Sequence, residues 1–98
     1  MASEGFHEPL DKLSAATMDM HRAITSLMEE LEAVDWYNQR IDATSDQELK
    51  RILEHNRDEE KEHAAMVLEW IRRCDPKLDH ELREVLFKQG DIVSHDHD

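Results

Sequence analysis

The sequence predicts an all-α protein, a long antiparallel two-helix hairpin followed by a short C-terminal helix. Three observations predict it. Charged residues make up 37% of the 98-residue chain and aromatics only 5%, the balance of long helices with solvent-facing sides. Two Gly and two Pro are too little punctuation for many short elements, so a single domain over 1–98 is expected. Apolar residues recur at steps of three and four through two long segments, the period of a helix that buries one face.

Helix 1 is expected over about 9–41. Glu8-Pro9 places a proline where a helix begins without losing a useful donor, and the next breaker-like cluster is Asp42-Ala43-Thr44-Ser45-Asp46. Leu13, Ala16, Met20, Ala23, Leu27, Val34 and Ile41 form one apolar stripe along it, over roughly 50 Å of helix. Helix 2 is expected over about 46–74. Ser45 with Glu48 three residues later is a capping-box pattern, and Asp75-Pro76 ends the segment. Helix 3 is expected over about 76–88, stopping at Gly90, with a polar, mobile tail at 90–98. A hairpin makes only one layer of contact, so its apolar stripes stay half exposed unless a second hairpin covers them. Self-association is therefore expected.

The formal net charge of -12 and sequence pI near 4.9 repel nucleic-acid phosphates and anionic membranes and draw in cations. No apolar run approaches the roughly 18 residues that span a bilayer, and MASEGFHEPL holds no apolar signal core. A soluble, cytoplasmic protein is expected, with neither nucleic acid nor membrane as partner. Cys74 is the only cysteine, which leaves no intrachain disulfide, and its place on an apolar stripe reads as a packed thiol. Gly-rich phosphate loops, a Ser/His/Asp order and basic patches are all missing, so nucleotide chemistry and hydrolysis have no support.

In helix 2, Leu53, Asn56, Glu60, His63, Val67, Trp70 and Cys74 follow one another at steps of three and four and form one inward stripe. Its ends are apolar, but its centre is polar, and burying such groups without partners costs several kcal/mol. Glu60 and His63 are an i, i+3 pair that puts a carboxylate and an imidazole on one face, a chelating geometry. Glu30 lies at the edge of the helix 1 stripe and can point the same way. A di-iron carboxylate bundle takes a Glu from each of two helices and a Glu-x-x-His from each of two others. One chain supplies half of that set, so two chains pairing about a two-fold axis complete both the ligands and the core. An oxygen-rich site with one imidazole per metal suits Fe, with Mn or Zn as substitutes. From the residues alone, Glu29 and Glu32 read as solvated charges off the stripe, and Trp36 and Tyr37 as packing aromatics. His7, His21, His55 and His80 lack a ligand-spaced partner on a core stripe, and His95 and His97 make a weak tail chelator.

The segments HRAITSLMEELEAVDWYNQRIDA, residues 21–43, and HNRDEEKEHAAMVLEWIRR, residues 55–73, resemble the encapsulated ferritins. The pattern EELEAVDWY followed by HN-x-x-EE-x-EHA covers both long helices. HEPL and the LF of helix 3 extend the likeness over most of the chain. The resemblance implies a half-ferritin whose chains pair into a ferritin-like four-helix bundle. It implies a homodecameric ring of five dimers with ferroxidase sites shared across each dimer, acting as cargo inside an encapsulin nanocompartment that stores the iron mineral. It places the metal ligands on Glu30, Glu60 and His63 and iron-attracting outer carboxylates on Glu29 and Glu32, where calcium is a further candidate cation. Trp36 and Tyr37 fall where the family packs aromatics around the metals. Relatives carry a C-terminal extension ending in a shell-targeting peptide, and no such peptide is recognised in the segment ending at Asp98. Two rival readings are a rubrerythrin-like di-metal peroxidase and a non-enzymic helical interaction protein whose polar stripe sets dimer register.

Overall fold

The computed structural model describes residues 5–93. A 3-10 turn at Leu10–Lys12 leads into α1 (Ala15–Ala43), α2 (Gln47–Cys74) and α3 (Pro76–Val85), and no strand occurs among the described residues. α1 and α2 pack as an antiparallel hairpin and α3 packs on α2. The all-α architecture of hairpin plus short third helix is the one expected.

Local chemistry moves several ends from their expected places. α1 starts at Ala15 rather than near 9, because the Ser14 hydroxyl accepts from the Thr17 amide and makes Ser14 the N-cap. Pro9 instead opens the short 3-10 turn. At the other end α1 continues to Ala43, since alanine favours the helix and the chain turns out only at Thr44. α2 is capped by Asp46, not Ser45: its carboxylate accepts from the Leu49 amide at 2.9 Å, and the Thr44 hydroxyl accepts from the Asp46 amide. Asp75 caps α3 through the Leu78 amide, with Pro76 in the first turn. α3 ends at Val85, short of 88. Phe87 then takes a left-handed φ of 63°, ahead of Gly90 at 90°. The tail at 94–98, with His95 and His97, lies outside the described residues.

The buried core is thin. Ile41 on α1 and Ala64 and Ile71 on α2 are the residues buried among those described. Ala64 and Ile71 lie two turns apart and mark the line of α2 that faces α1. The expected inward line through His63, Trp70 and Cys74 is offset from it by about one residue, roughly 100° around the helix, and runs along the open edge of the hairpin. Trp70 is 44% exposed and Cys74 is exposed, so Cys74 is not the packed thiol expected. A heptad-stepped stripe points between two neighbouring helices, and a lone hairpin supplies one of them.

Candidate metal centre

The mid-sections of α1 and α2 bring three ligating side chains together. One ligand atom from each of Glu30, Glu60 and His63 lies within 4.8 Å of the other two. His63 Nδ1 stands 3.7 Å from Glu30 Oε2 and 3.7 Å from Glu60 Oε1. Both carboxylates are half-buried, whereas the His63 side chain is 47% exposed, open toward the free edge. The i, i+3 spacing puts Glu60 and His63 on one turn, and the antiparallel packing of α1 carries Glu30 across to them.

The electrostatics favour a cation at this cluster. The Glu30 carboxyl is held above the usual carboxylate range, first by the hydrogen bond it shares with Glu60, then by burial and by the Glu60 charge. Glu29 pushes it further up, and His63 acts in the opposite direction. Two oxygens and one imidazole nitrogen also fit a divalent ion by size. Ligands at about 2.0–2.2 Å from a metal are at most roughly 4.4 Å apart, so shifts of a few tenths of an ångström close the group. Three donors leave the shell of a six-coordinate ion incomplete.

The other expected site residues lie apart from this cluster. Glu29 is exposed beside Glu30 on α1, and Glu32 is half-buried a little over half a turn beyond Glu30. Trp36 is 47% exposed and Tyr37 half-buried; the Arg40 guanidinium lies 6.0 Å from the Trp36 ring centroid and 5.5 Å from that of Tyr37. His55 pairs with Glu59 at 3.5 Å on the exposed side of α2, and the His21 ring packs against Phe6. Sequence reasoning passed over Arg57 and Asn38. Arg57 Nη1 donates to Asn38 Oδ1 at 3.2 Å across the hairpin, and its Nε donates to Asp58 Oδ1 at 3.1 Å. The available signal was Arg57 standing one turn before Glu60.

A helical hairpin with one Glu on its first helix and a Glu-x-x-His on its second, converging at mid-length, has half of the ligand pattern of the ferritin-like carboxylate bundles. The chain belongs to the EncFtn-like family, whose model matches residues 5–89. It is 60% identical over 93 residues to the encapsulated ferritin-like protein of Rhodospirillum rubrum, covering 95% of this chain and 66% of that one. It is 50% identical over 91 residues to a ferritin-like protein of Thermotoga maritima, covering 93% and 80% of the two. The encapsulin nanocompartment cargo protein EncC of Myxococcus xanthus is 43% identical over 65 residues, which span 66% of this chain and 50% of that protein. The crystal structure of protein ne0167 from Nitrosomonas europaea superposes with a TM-score of 0.89 at 66% identity, covering 92% of this chain and 99% of that one. The family likeness read from residues 21–43 and 55–73 is thereby established.

Proposed function

We propose that the protein is a ferroxidase that oxidises Fe(II) to Fe(III) with O2 at a di-iron site shared by two copies of the chain. The observation that carries this reading is the convergence of Glu30, Glu60 and His63 within 4.8 Å, half of a ferritin-like ligand set on half of a four-helix bundle. A two-fold partner supplies the other half of the ligands and covers the exposed apolar residues.

Iron here is substrate. Two Fe(II) give one electron each, O2 takes both electrons and two protons from water and leaves as hydrogen peroxide, and the two Fe(III) leave for mineral. Glu30 and Glu60 favour the oxidised ion because its higher charge interacts more strongly with anionic ligands. His63 binds through a neutral nitrogen, fixing the ion on the α2 side. Glu29 and Glu32 form an acidic approach path, with calcium as a competing cation, and Trp36 and Tyr37 pack around the metals. The names of the R. rubrum and M. xanthus relatives support association with an encapsulin shell; a cytoplasmic compartment that stores the mineral rests on the family resemblance. The ring of five dimers rests on the family resemblance.

The test is anaerobic Fe(II) loading followed by an O2 pulse, with ferric absorbance and metal stoichiometry followed in wild type, Glu30→Ala and His63→Ala. Fast oxidation at about one Fe per chain, lost in both variants while far-UV circular dichroism stays helical, is expected. Oxidation at an unchanged rate in the variants would remove the assignment.

A further inference from the structure

The pair formed by Arg57 and Asn38 lies on the same side of the candidate centre as the α1–α2 turn. Asn38 follows Glu30 by eight residues on α1, and Arg57 precedes His63 by six on α2, or roughly 9 to 12 Å along the axes. The two steps differ by only about 3 Å in an antiparallel hairpin, a gap the long Arg57 side chain spans, so the 3.2 Å hydrogen bond from Arg57 Nη1 to Asn38 Oδ1 forms in the same register that brings Glu30 to Glu60 and His63. Arg57 is suited to fixing that register. Its side chain is only 22% exposed, and its guanidinium is held at Nε by Asp58 while Nη1 reaches across. A planar fork gripped at two points allows little freedom of rotation. Apolar contacts between two smooth helices tolerate sliding and rotation, but a hydrogen bond between named atoms does not.

We infer that Arg57, through Asn38, is a positioning residue that sets the distance between Glu30 and the Glu60–His63 pair, and so sets the affinity of the centre for divalent ions. The inference rests on the proposed metal site. It adds a residue that touches no metal and stands one turn from Glu60. A positive charge can only oppose cation binding, and both Asn38→Ala and Arg57→Lys keep it, so any loss of affinity in those variants comes from geometry rather than charge.

The probe is anaerobic Co(II), whose visible absorption reports coordination geometry, titrated into wild type, Asn38→Ala, Arg57→Lys, the double variant and Glu30→Ala, with thermal unfolding recorded in parallel. Asn38→Ala and Arg57→Lys are each expected to weaken Co(II) binding about 3- to 10-fold, the range that one lost hydrogen bond gives, and to alter the Co(II) spectrum. The double variant is expected to lose no more than the worse single one, because both break the same bond. Wild-type Co(II) affinity and spectrum in both single variants, even with a lowered melting temperature, would make the pair merely structural and overturn the inference. Additive losses would overturn it too. If wild type and Glu30→Ala bind Co(II) alike, the proposed metal site itself fails and the inference falls with it.

Discussion

At the residue scale, the hydrogen bond to Glu60, partial burial and the Glu60 charge raise the Glu30 carboxyl above its ordinary range, so it keeps its proton to higher pH than a free carboxyl does. The folded chain therefore binds that proton more tightly than the unfolded chain, whose reference value is 4.5. Stability from this group is fully present below that value and is lost as pH rises through the raised folded one. At neutral pH without metal, ionised Glu30 works against the fold. Glu30→Gln is thus expected to raise the metal-free melting temperature at pH 7, with the gain shrinking toward pH 4, while the rise caused by added divalent cation disappears. A metal-free melting temperature that is unchanged or lower at pH 7 would count against the raised Glu30 carboxyl. Proton and cation compete for the same oxygens, so metal affinity is expected to fall as pH drops. The clustering of Glu30, Glu60 and His63 was legible in the sequence because helical spacing puts Glu60 and His63 on one turn and Glu30 at the edge of the facing stripe. The exposure of His63 was not, since spacing fixes relative angles and leaves the absolute facing of the helix to packing.

At the element scale, three side-chain caps place the helices. The Asp46 carboxylate ends the turn between α1 and α2 and so determines where α2 begins. Asp46→Ala is expected to cost about 1 kcal/mol, read by chemical denaturation, with Ser45→Ala near neutral. The reverse order would restore the cap to Ser45. Sequence patterns found this region but chose the wrong residue, because Ser45 and Asp46 are both good caps and only the chain's exit angle selects between them. Helix 1 was overextended for a related reason: Pro9 is compatible with a helix start, yet Ser14 offers a side-chain acceptor that Pro9 lacks. The α2–α3 junction is ionic. Arg72 bonds Glu69 at 2.7 Å and also Asp79, and Arg73 and Arg83 reinforce the two acids. The Arg72 and Arg73 guanidiniums hold the Glu69 carboxyl down at about 2. A depressed acid stabilises above its unfolded value of 4.5 and loses that contribution as pH falls toward about 2. Asp79, whose bond to Arg72 crosses the junction, is likewise held below its ordinary 3.8 by Arg72 and Arg83, so amide protection at Leu82 and Leu86 is expected to decline as pH falls below that value, before protection at Ala64 does. Simultaneous loss would show that α3 and the hairpin melt as one.

At the scale of the whole molecule, an extent of 18 Å in the thinnest direction leaves room for little more than one helical layer with its side chains. Met66 at 57%, Ile52 at 52%, Leu31 at 55% and Trp70 at 44% exposure stay in solvent, large apolar side chains that a second layer would bury. The periodic pattern made the two stripes and the need for a covering layer legible. It left the sharing of residues between the inner and outer sides of the hairpin undetermined, since that depends on how many neighbours each helix has. Trp70→Asp is expected to shift the mass in analytical ultracentrifugation toward the monomer and to abolish rapid Fe(II) oxidation with Glu30, Glu60 and His63 intact. An unchanged mass would place the self-association surface elsewhere.

The hairpin and its third helix are held by forces of different kinds. α1 meets α2 chiefly through Ile41, Ala64 and Ile71, whereas α3 is tied by the cluster of Arg72, Asp79, Glu69 and Arg83. Raising ionic strength therefore acts on the two joints in opposite directions. At 1 M salt the screening length falls to about 3 Å, which loosens α3, while sulfate strengthens apolar burial and tightens the hairpin. The same protein in concentrated sodium sulfate would carry a firmer hairpin and a freer third helix, so the salt chosen for purification selects which part of the chain is presented to a partner.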